Sequence, residues 1–355
     1  MTFPRKLVTT LVLALVASAL ALFACGGDFQ PQSKVDSVRL FAVRADKPYA
    51  RPGETVTLEA LVTDQRRDKP RALKVYWIPV VCMNPRDDLY YLCFTGAGDG
   101  GADNPTRLIP IGAAADAGAG MGGGGSLQQI PTNVDVSAFL PQGNTLSFKM
   151  PDDAIVPRKG SDPYGLAVVF NVVCAGQIRF GSVDPSAGPQ QVPIHCTDEE
   201  GNQLSPNDYV IGISRVYSYD KRVNTNPVIQ KVTYKGVDVD LNAGITVEKC
   251  RDVKKRMDCP EIKIDVKVSD ESWEDNPGEV VRGQQLREQI WVDYYTNIGE
   301  FENDARLLFD TRSGRVSDSE AVYRAPADPM DGTIWMVVHD NRGGASWVVL
   351  PIHSR

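Results

Sequence analysis

Glu54-Thr55-Val56-Thr57-Leu58-Glu59-Ala60-Leu61-Val62 alternates apolar and polar residues. Val56, Leu58, Ala60 and Val62 fall on one face and Thr55, Thr57 and Glu59 on the other, the pattern of a strand with one buried side. Pro52-Gly53 supplies a turn just before it. Ile262, Ile264, Val266 and Val268 repeat the pattern against Lys263, Asp265 and Lys267. The same reading predicts strands over 38–43, 74–81, 145–150, 166–174 and 209–217, then over 228–234, 289–296, 333–338 and 346–350. No amphipathic stretch exceeds two helical turns, and Val281 to Gln289 is the best short helical candidate. The chain is expected to be all-β.

The polar run from Ser218 to Pro227 splits these strands into two sets. Their spacing predicts two tandem β-sandwiches, one over 35–220 and one over 221–355. Trp77 and Trp291 fall in the third or fourth strand of their sets and are expected as buried core tryptophans. Residues 96–126 are dominated by Gly, Ala and Asp, a composition that buries too little apolar area to offset its ordering entropy. They are expected to form a flexible surface loop. A second insertion, 175–206, is rich in Pro, Gly and Ser and is expected to be an irregular loop.

Two short motifs carry a resemblance. Arg51-Pro52-Gly53-Glu54-Thr55-Val56-Thr57-Leu58 resembles the A–B region of bacterial immunoglobulin-like domains. Val338-His339-Asp340-Asn341-Arg342-Gly343-Gly344 resembles their closing F–G hairpin. The resemblance implies tandem immunoglobulin-like sandwiches in an exported setting and implies no activity.

Leu22-Phe23-Ala24-Cys25 closes an apolar run that begins at Leu7, after the basic Arg5 and Lys6. It resembles the lipobox of a bacterial lipoprotein signal peptide. The resemblance implies that residues 1–24 are removed and that Cys25 is lipidated. Gly26 after the cysteine is similar to lipoproteins sorted to the outer membrane, on its periplasmic or cell-surface face. Residues 25–34 then form a lipidated tether, of which the nine residues after Cys25 reach about 30 Å at most. That expectation holds the first sandwich near the lipid and leaves the second to reach outward.

The formal charge of −7 becomes more acidic once Arg5 and Lys6 are lost, which argues against nucleic acid or anionic lipid as a partner. Six cysteines follow Cys25: Cys82, Cys93, Cys174, Cys196, Cys250 and Cys259. In an exported chain an even set reads as disulfides. Fifteen pairings are formally possible. Nearest-neighbour pairs are favoured because each brackets a polar, turn-rich segment. A zinc site is poorly supported, since no C-x-x-C occurs and only His195 stands beside a cysteine.

Catalytic motifs are absent: no G-x-S-x-G, H-E-x-x-H or phosphate-binding glycine loop with its lysine occurs. His339-Asp340 is the one tempting general-base pair, but a histidine at a hairpin is commonplace. The acidic run Asp270 to Glu279 encloses Trp273. Glu271, Glu274 and Asp275 could offer hard oxygens to calcium, although the spacing is not that of an EF-hand. Trp273 could anchor a glycan or a protein, or fold back over the sandwich end. Tyr90, Tyr91 and Phe94 near Cys93 offer a similar choice between packing and contact. The expectation is a non-enzymatic, lipid-anchored envelope protein without cofactor, acting in adhesion, scaffolding or recognition of an envelope protein partner. The alternative is a carbohydrate- or calcium-dependent binding module.

Overall fold

Two kinds of strand build the protein, half-buried strands that alternate and strands such as Lys74–Met83 and Gly165–Cys174 that are buried on both faces. The computed structural model describes residues 31–94, 106–111, 132–181, 192–251 and 259–355. Residues 1–24, Cys25 and most of 96–126 lie outside the described residues. The fold is all-β, and the helical residues among those described are short 3-10 turns such as Tyr90–Cys93 and Asp270–Ser272. Among the described residues no helix is long and apolar enough to cross a membrane.

The strands up to Ser218 form two facing sheets. One has the order Val38–Ala45, Thr55–Asp64, Thr145–Lys149. The other runs Tyr49–Ala50, Tyr209–Ser218, Gly165–Cys174, Lys74–Met83, Arg107–Pro110. Val56, Leu58 and Phe148 of the first meet Trp77, Val169 and Val216 of the second in one core. The strands from Ile229 onward form a second sandwich. Ile229–Tyr234 and Ile262–Val268 lie in its five-stranded sheet; Ala345–Ser354, Met330–Asp340 and Ile290–Thr296 lie in its six-stranded sheet. Ile264 and Tyr323 of the former pack against Tyr294, Met336 and Leu350 of the latter.

Every residue of Gly165–Cys174 is buried. Its second face, with Leu166, Val168, Phe170 and Val172, packs under a cover made of Phe94, Val136, Leu140, Ile178 and Ile194. A strand buried on both sides has no polar face to show, so it reads as an apolar run, here interrupted only by the buried Asn171. This corrects the reading of 175–206 as irregular. Gln177–Phe180 and Ile194–Thr197 pair as a hairpin that covers the sheet.

Other expectations are also corrected. Arg107–Pro110, inside the glycine-rich stretch, adds an edge strand to Lys74–Met83. Val281 to Gln289 is not helical: Asp275–Val281 and Gln284–Arg287 form a hairpin whose turn, Arg282-Gly283, has both residues at positive φ. The acidic run is therefore half strand. Trp77 is fully buried, but Trp291 lies on the outer face, because Ile290, Val292, Tyr294 and Thr296 take the inward positions of its strand.

Ser33–Arg355 forms one compact unit, so the last two residues of the expected tether are part of the fold. Val35 N–H donates to Thr296 O at 2.9 Å and Thr296 N–H donates to Ser33 O at 2.8 Å. The compact unit thus begins on the second sandwich.

A bulge fixes how the sandwiches meet. Val38 and Leu40 point into the first core, the register shifts between Leu40 and Ala42, and then Val43 and Ala45 point inward. The extra residue, Phe41, is turned out of the sheet. Its ring stacks 5.0 Å from Trp335 and lies 4.8 Å from Tyr295, both on the second sandwich. Arg44 covers Trp347 at 4.3 Å nearby. Replacing Phe41 by alanine is expected to cost about 2 kcal/mol, less than for a fully buried ring. Calorimetry should then show the sandwiches melting separately. A single unshifted transition would mean that the stack does not couple them.

Candidate functional site

The acidic run is placed first by its neighbours. Ser269 caps the turn Asp270–Ser272, and Trp273 follows with its indole half-buried against the second core. Its ring stacks on Phe309 at 5.6 Å, Arg287 lies 4.4 Å from its centroid, and Nε1 donates to Glu288 O at 2.8 Å. Gly314 lies flat against the ring, where a Cβ would sit 3.0 Å from it. Trp273 therefore closes the end of the sandwich.

The carboxylates around it diverge. Asp270 pairs with Arg315 at 2.6 Å and Asp275 with Arg287 at 2.8 Å. Glu274 pairs with Arg342 at 3.1 Å and also accepts from the Thr225 hydroxyl. Glu271 is exposed. Among the described residues no three His, Cys, Asp or Glu side chains are grouped to hold a metal ion. The structure thus gives each arginine one acid of the run instead of bringing the acids together.

His339 and Asp340 also separate, since neighbours on a strand face opposite sides. His339 stacks on Trp291 at 5.3 Å, with Nε2 3.4 Å from Asp293, and burial lowers its pKa. Asp340 instead organises the hairpin. Its Oδ1 accepts from the N–H groups of Arg342 at 2.7 Å and Gly344 at 2.8 Å. Its Oδ2 accepts from Asn224 Nδ2 at 3.2 Å.

Asn224 belongs to the polar run between the sandwiches, which is fixed from both sides. Asn226 Oδ1 accepts from Ala345 N–H at 2.9 Å, while its Nδ2 donates to Ala45 O at 2.7 Å in the first sandwich. Arg342, 9% exposed, lies beside this run and is ion-paired to Glu288, which is 0% exposed. The guanidinium also stands 5.9 Å from the Tyr49 ring. Burial, then Asp340, pushes the Glu288 carboxyl up to about 7 despite Arg342.

In front of Arg342 opens a cleft of about 760 Å³ between the sandwiches. One wall is the outer edge of Val38–Ala45, from Leu40 to Val43. A second is the strand Tyr209–Ser218, with Ile213, Ser214, Arg215 and Tyr217. Asn276, Glu279 and Asn341 to Gly343 close it from the second sandwich. Tyr49, Tyr164, Tyr217 and Tyr219 form a continuous aromatic group, with centroids 4.7 Å apart for Tyr49–Tyr219 and 5.7 Å for Tyr164–Tyr217. Arg158 lies 4.3 Å over Tyr164 and Arg222 5.3 Å over Tyr219.

No known family profile and no curated protein sequence matches this chain. Among solved structures it is similar to dimeric latent PorU from Porphyromonas gingivalis, at 13% identity and a TM-score of 0.20, over 90% of this chain and 24% of that one. It is also similar to native E. coli alpha-2-macroglobulin, at 11% identity and a TM-score of 0.22, over 92% of this chain and 17% of that one. The chain spans a quarter or less of either, and likenesses this slight carry no argument about activity.

The cleft's chemistry follows from its own residues. Burial raises the pKa of Tyr217 and Tyr219, and burial with the Asp88 hydrogen bond pushes Tyr164 up to about 12. The phenols thus stay protonated at neutral pH and offer donors and ring faces. Among the described residues no histidine or cysteine is in the lining. Sequence reasoning missed this cleft. The alternation Tyr217, Tyr219 at the end of an apolar strand was its one local signal.

The six later cysteines lie at disulfide distance as Cys82–Cys93, Cys174–Cys196 and Cys250–Cys259, the nearest-neighbour pattern. Buried pairs of this kind point to an oxidising, extracytoplasmic setting. Phe94 packs on Phe170 at 4.7 Å under the first of these, with Tyr90 and Tyr91 half-buried beside it.

Proposed function

We propose that this is a non-enzymatic protein of the cell envelope, lipid-anchored through Cys25, whose fused immunoglobulin-like sandwiches recognise an envelope partner. The carrying observation is the cleft between them, walled by tyrosine rings and guanidinium groups. Tyrosine and arginine are the residue types that dominate recognition surfaces. The disulfides and the lipobox-like Leu22 to Cys25 support the envelope setting and an outer-membrane location. Carbohydrate binding is a second reading, favoured by the same tyrosine faces.

Cys25→Ser is expected to leave the signal uncleaved by the lipoprotein pathway and to abolish acyl labelling of the protein. Incorporation of an alkynyl palmitate and membrane fractionation would check it. Equal labelling of the variant would exclude Cys25 as the anchor. Photo-crosslinking in intact cells from position 217, with a site on the Val237 turn as comparison, tests recognition. A product specific to position 217 is expected; identical patterns from both sites would remove the cleft from the partner surface.

A further inference from the structure

The strand Tyr209–Ser218 is paired to Gly165–Cys174 along its whole length on one side. On the other side only its last two residues are paired, to Tyr49–Ala50 in parallel. Tyr217 N–H points to that open side, where it donates to Pro48 O. Backbone groups in a strand alternate sides, so Arg215 and Ile213 also turn their N–H and C=O groups away from the ladder. These groups meet the cleft, and among the described residues no strand satisfies them.

Natural sheets seldom leave such an edge open beside a cleft. The opposite wall is also a strand edge, the Leu40–Val43 side of Val38–Ala45, whose ladder among the described residues runs to Thr55–Asp64 on its other side. Ser214 adds a separate sign. It is 9% exposed, lines the cleft, and its Oγ has no hydrogen-bond partner. A buried hydroxyl left unpaired costs free energy that a ligand can recover.

The charge of the wall selects the occupant. Its charged residues are Arg215, Arg222 and Arg342 against Glu279. Arg342 is held from behind by Glu288, and Arg222 is paired with Asp162 at 2.8 Å. Arg215 is exposed and has no ion-pair partner among the described residues; its guanidinium stands 6.0 Å from the Tyr90 ring. We infer that the cleft receives an extended, acidic polypeptide segment of the partner, which adds as a strand to the free edge at Ile213–Arg215 and places a carboxylate on Arg215. Main-chain hydrogen bonds supply the affinity in this mode, and the segment's side chains on the Arg215 face also reach Tyr217 beside it.

The inference rests on the recognition role proposed above. Its test uses the mature lipoprotein in detergent. The probes are fluorescent decapeptides with Glu at every second position and Val, Leu, Phe or Tyr between, read by anisotropy. At least one is expected to bind. Methylating alternate backbone nitrogens of that peptide, or exchanging Glu for Lys, should weaken it at least tenfold. Arg215→Ala should weaken it by removing charge. Arg215→Pro should weaken it further, because it also removes a cleft-facing N–H without touching the ladder to Gly165–Cys174. Binding unchanged in both N-methylated registers would overturn strand addition, and so would binding of an oligogalacturonate alone or of none of the probes at 1 mM. The N-methyl comparison uses the unaltered protein, so it decides even where Arg215→Pro fails to fold. A partner crosslinked through another face would overturn the groove and leave the recognition role standing.

Discussion

Replacing Arg342 by methionine should lower folding stability by about 3–5 kcal/mol at pH 8, among the largest effects of any single side chain here. Arg342 neutralises Glu288, which is completely buried, and Glu274, and it donates to Val223 O at 3.4 Å in the run between the sandwiches. Methionine fills similar volume but leaves a buried carboxylate with no counter-ion. The loss is therefore an uncompensated charge and not a cavity. Adding Glu288→Leu to the variant should recover most of it, because an apolar pair of similar size is often as stable as a buried ion pair. Denaturant unfolding of the two variants would decide. An equal loss in the double variant would mean that packing, not charge, is what Arg342 provides.

The same pair sets a pH dependence. Glu288 is pushed up to about 7 in the fold, by burial and then by Asp340, against an ordinary value of 4.5. The folded protein therefore holds this proton more tightly than the unfolded chain. Its contribution is full below about pH 4.5 and is lost as pH rises towards 7. Glu288→Gln should flatten the decline in stability between pH 5 and 7.5. Consistently, Arg342→Met should cost less at pH 5, where Glu288 is protonated. A cost independent of pH would contradict this account.

The fold was legible where strands have one wet face. Thr55–Asp64 and Ile262–Val268 alternate because one side meets a core and the other water, and their sequences show it directly. Gly165–Cys174 was visible for the opposite reason, as an apolar run broken only by Asn171, but its message that something must cover the second face went unread. The hairpin Asp275–Val281 and Gln284–Arg287 carries no such pattern, since Val280 and Val281 are exposed and Gln284 to Arg287 is largely polar. Arg107–Pro110 was hidden by the glycine and alanine around it. Trp291 shows the limit of residue type as a guide to depth: the register of its strand put Tyr294 inside instead. Trp273 takes the second of the two places its sequence allowed, folded back over the sandwich end, while its acidic neighbours turn outward. The cleft was least legible, because Leu40, Tyr164, Tyr219 and Arg342 come together only through the packing of two sandwiches.

Removing the Cys174–Cys196 bridge, as Cys174→Ala with Cys196→Ala, should cost about 3 kcal/mol, the scale for closing a loop of this order. The two cysteines are 22 positions apart, and both are 0% exposed. The structure says where the loss will appear. Cys174 ends the doubly buried strand, and Cys196 lies in the hairpin that covers its second face. Without the bridge, the cover is held by the packing of residues such as Ile178, Phe180 and Ile194 and by a few hydrogen bonds, among them Tyr76 Oη to Gly176 O at 2.9 Å. The first event on destabilisation should thus be lifting of the cover, exposing Phe170 and Leu166, while the core between the two sheets stays closed. Hydrogen exchange should show early loss of protection at 177–180 and 194–197, ahead of Thr55–Asp64. Cys82–Cys93 staples Phe94 onto the same face, so the loss of both bridges should exceed the sum of the two single losses. Strict additivity would mean that the two staples hold independent covers. Uniform loss of protection across the first sandwich would mean that the cover and the core unfold as one.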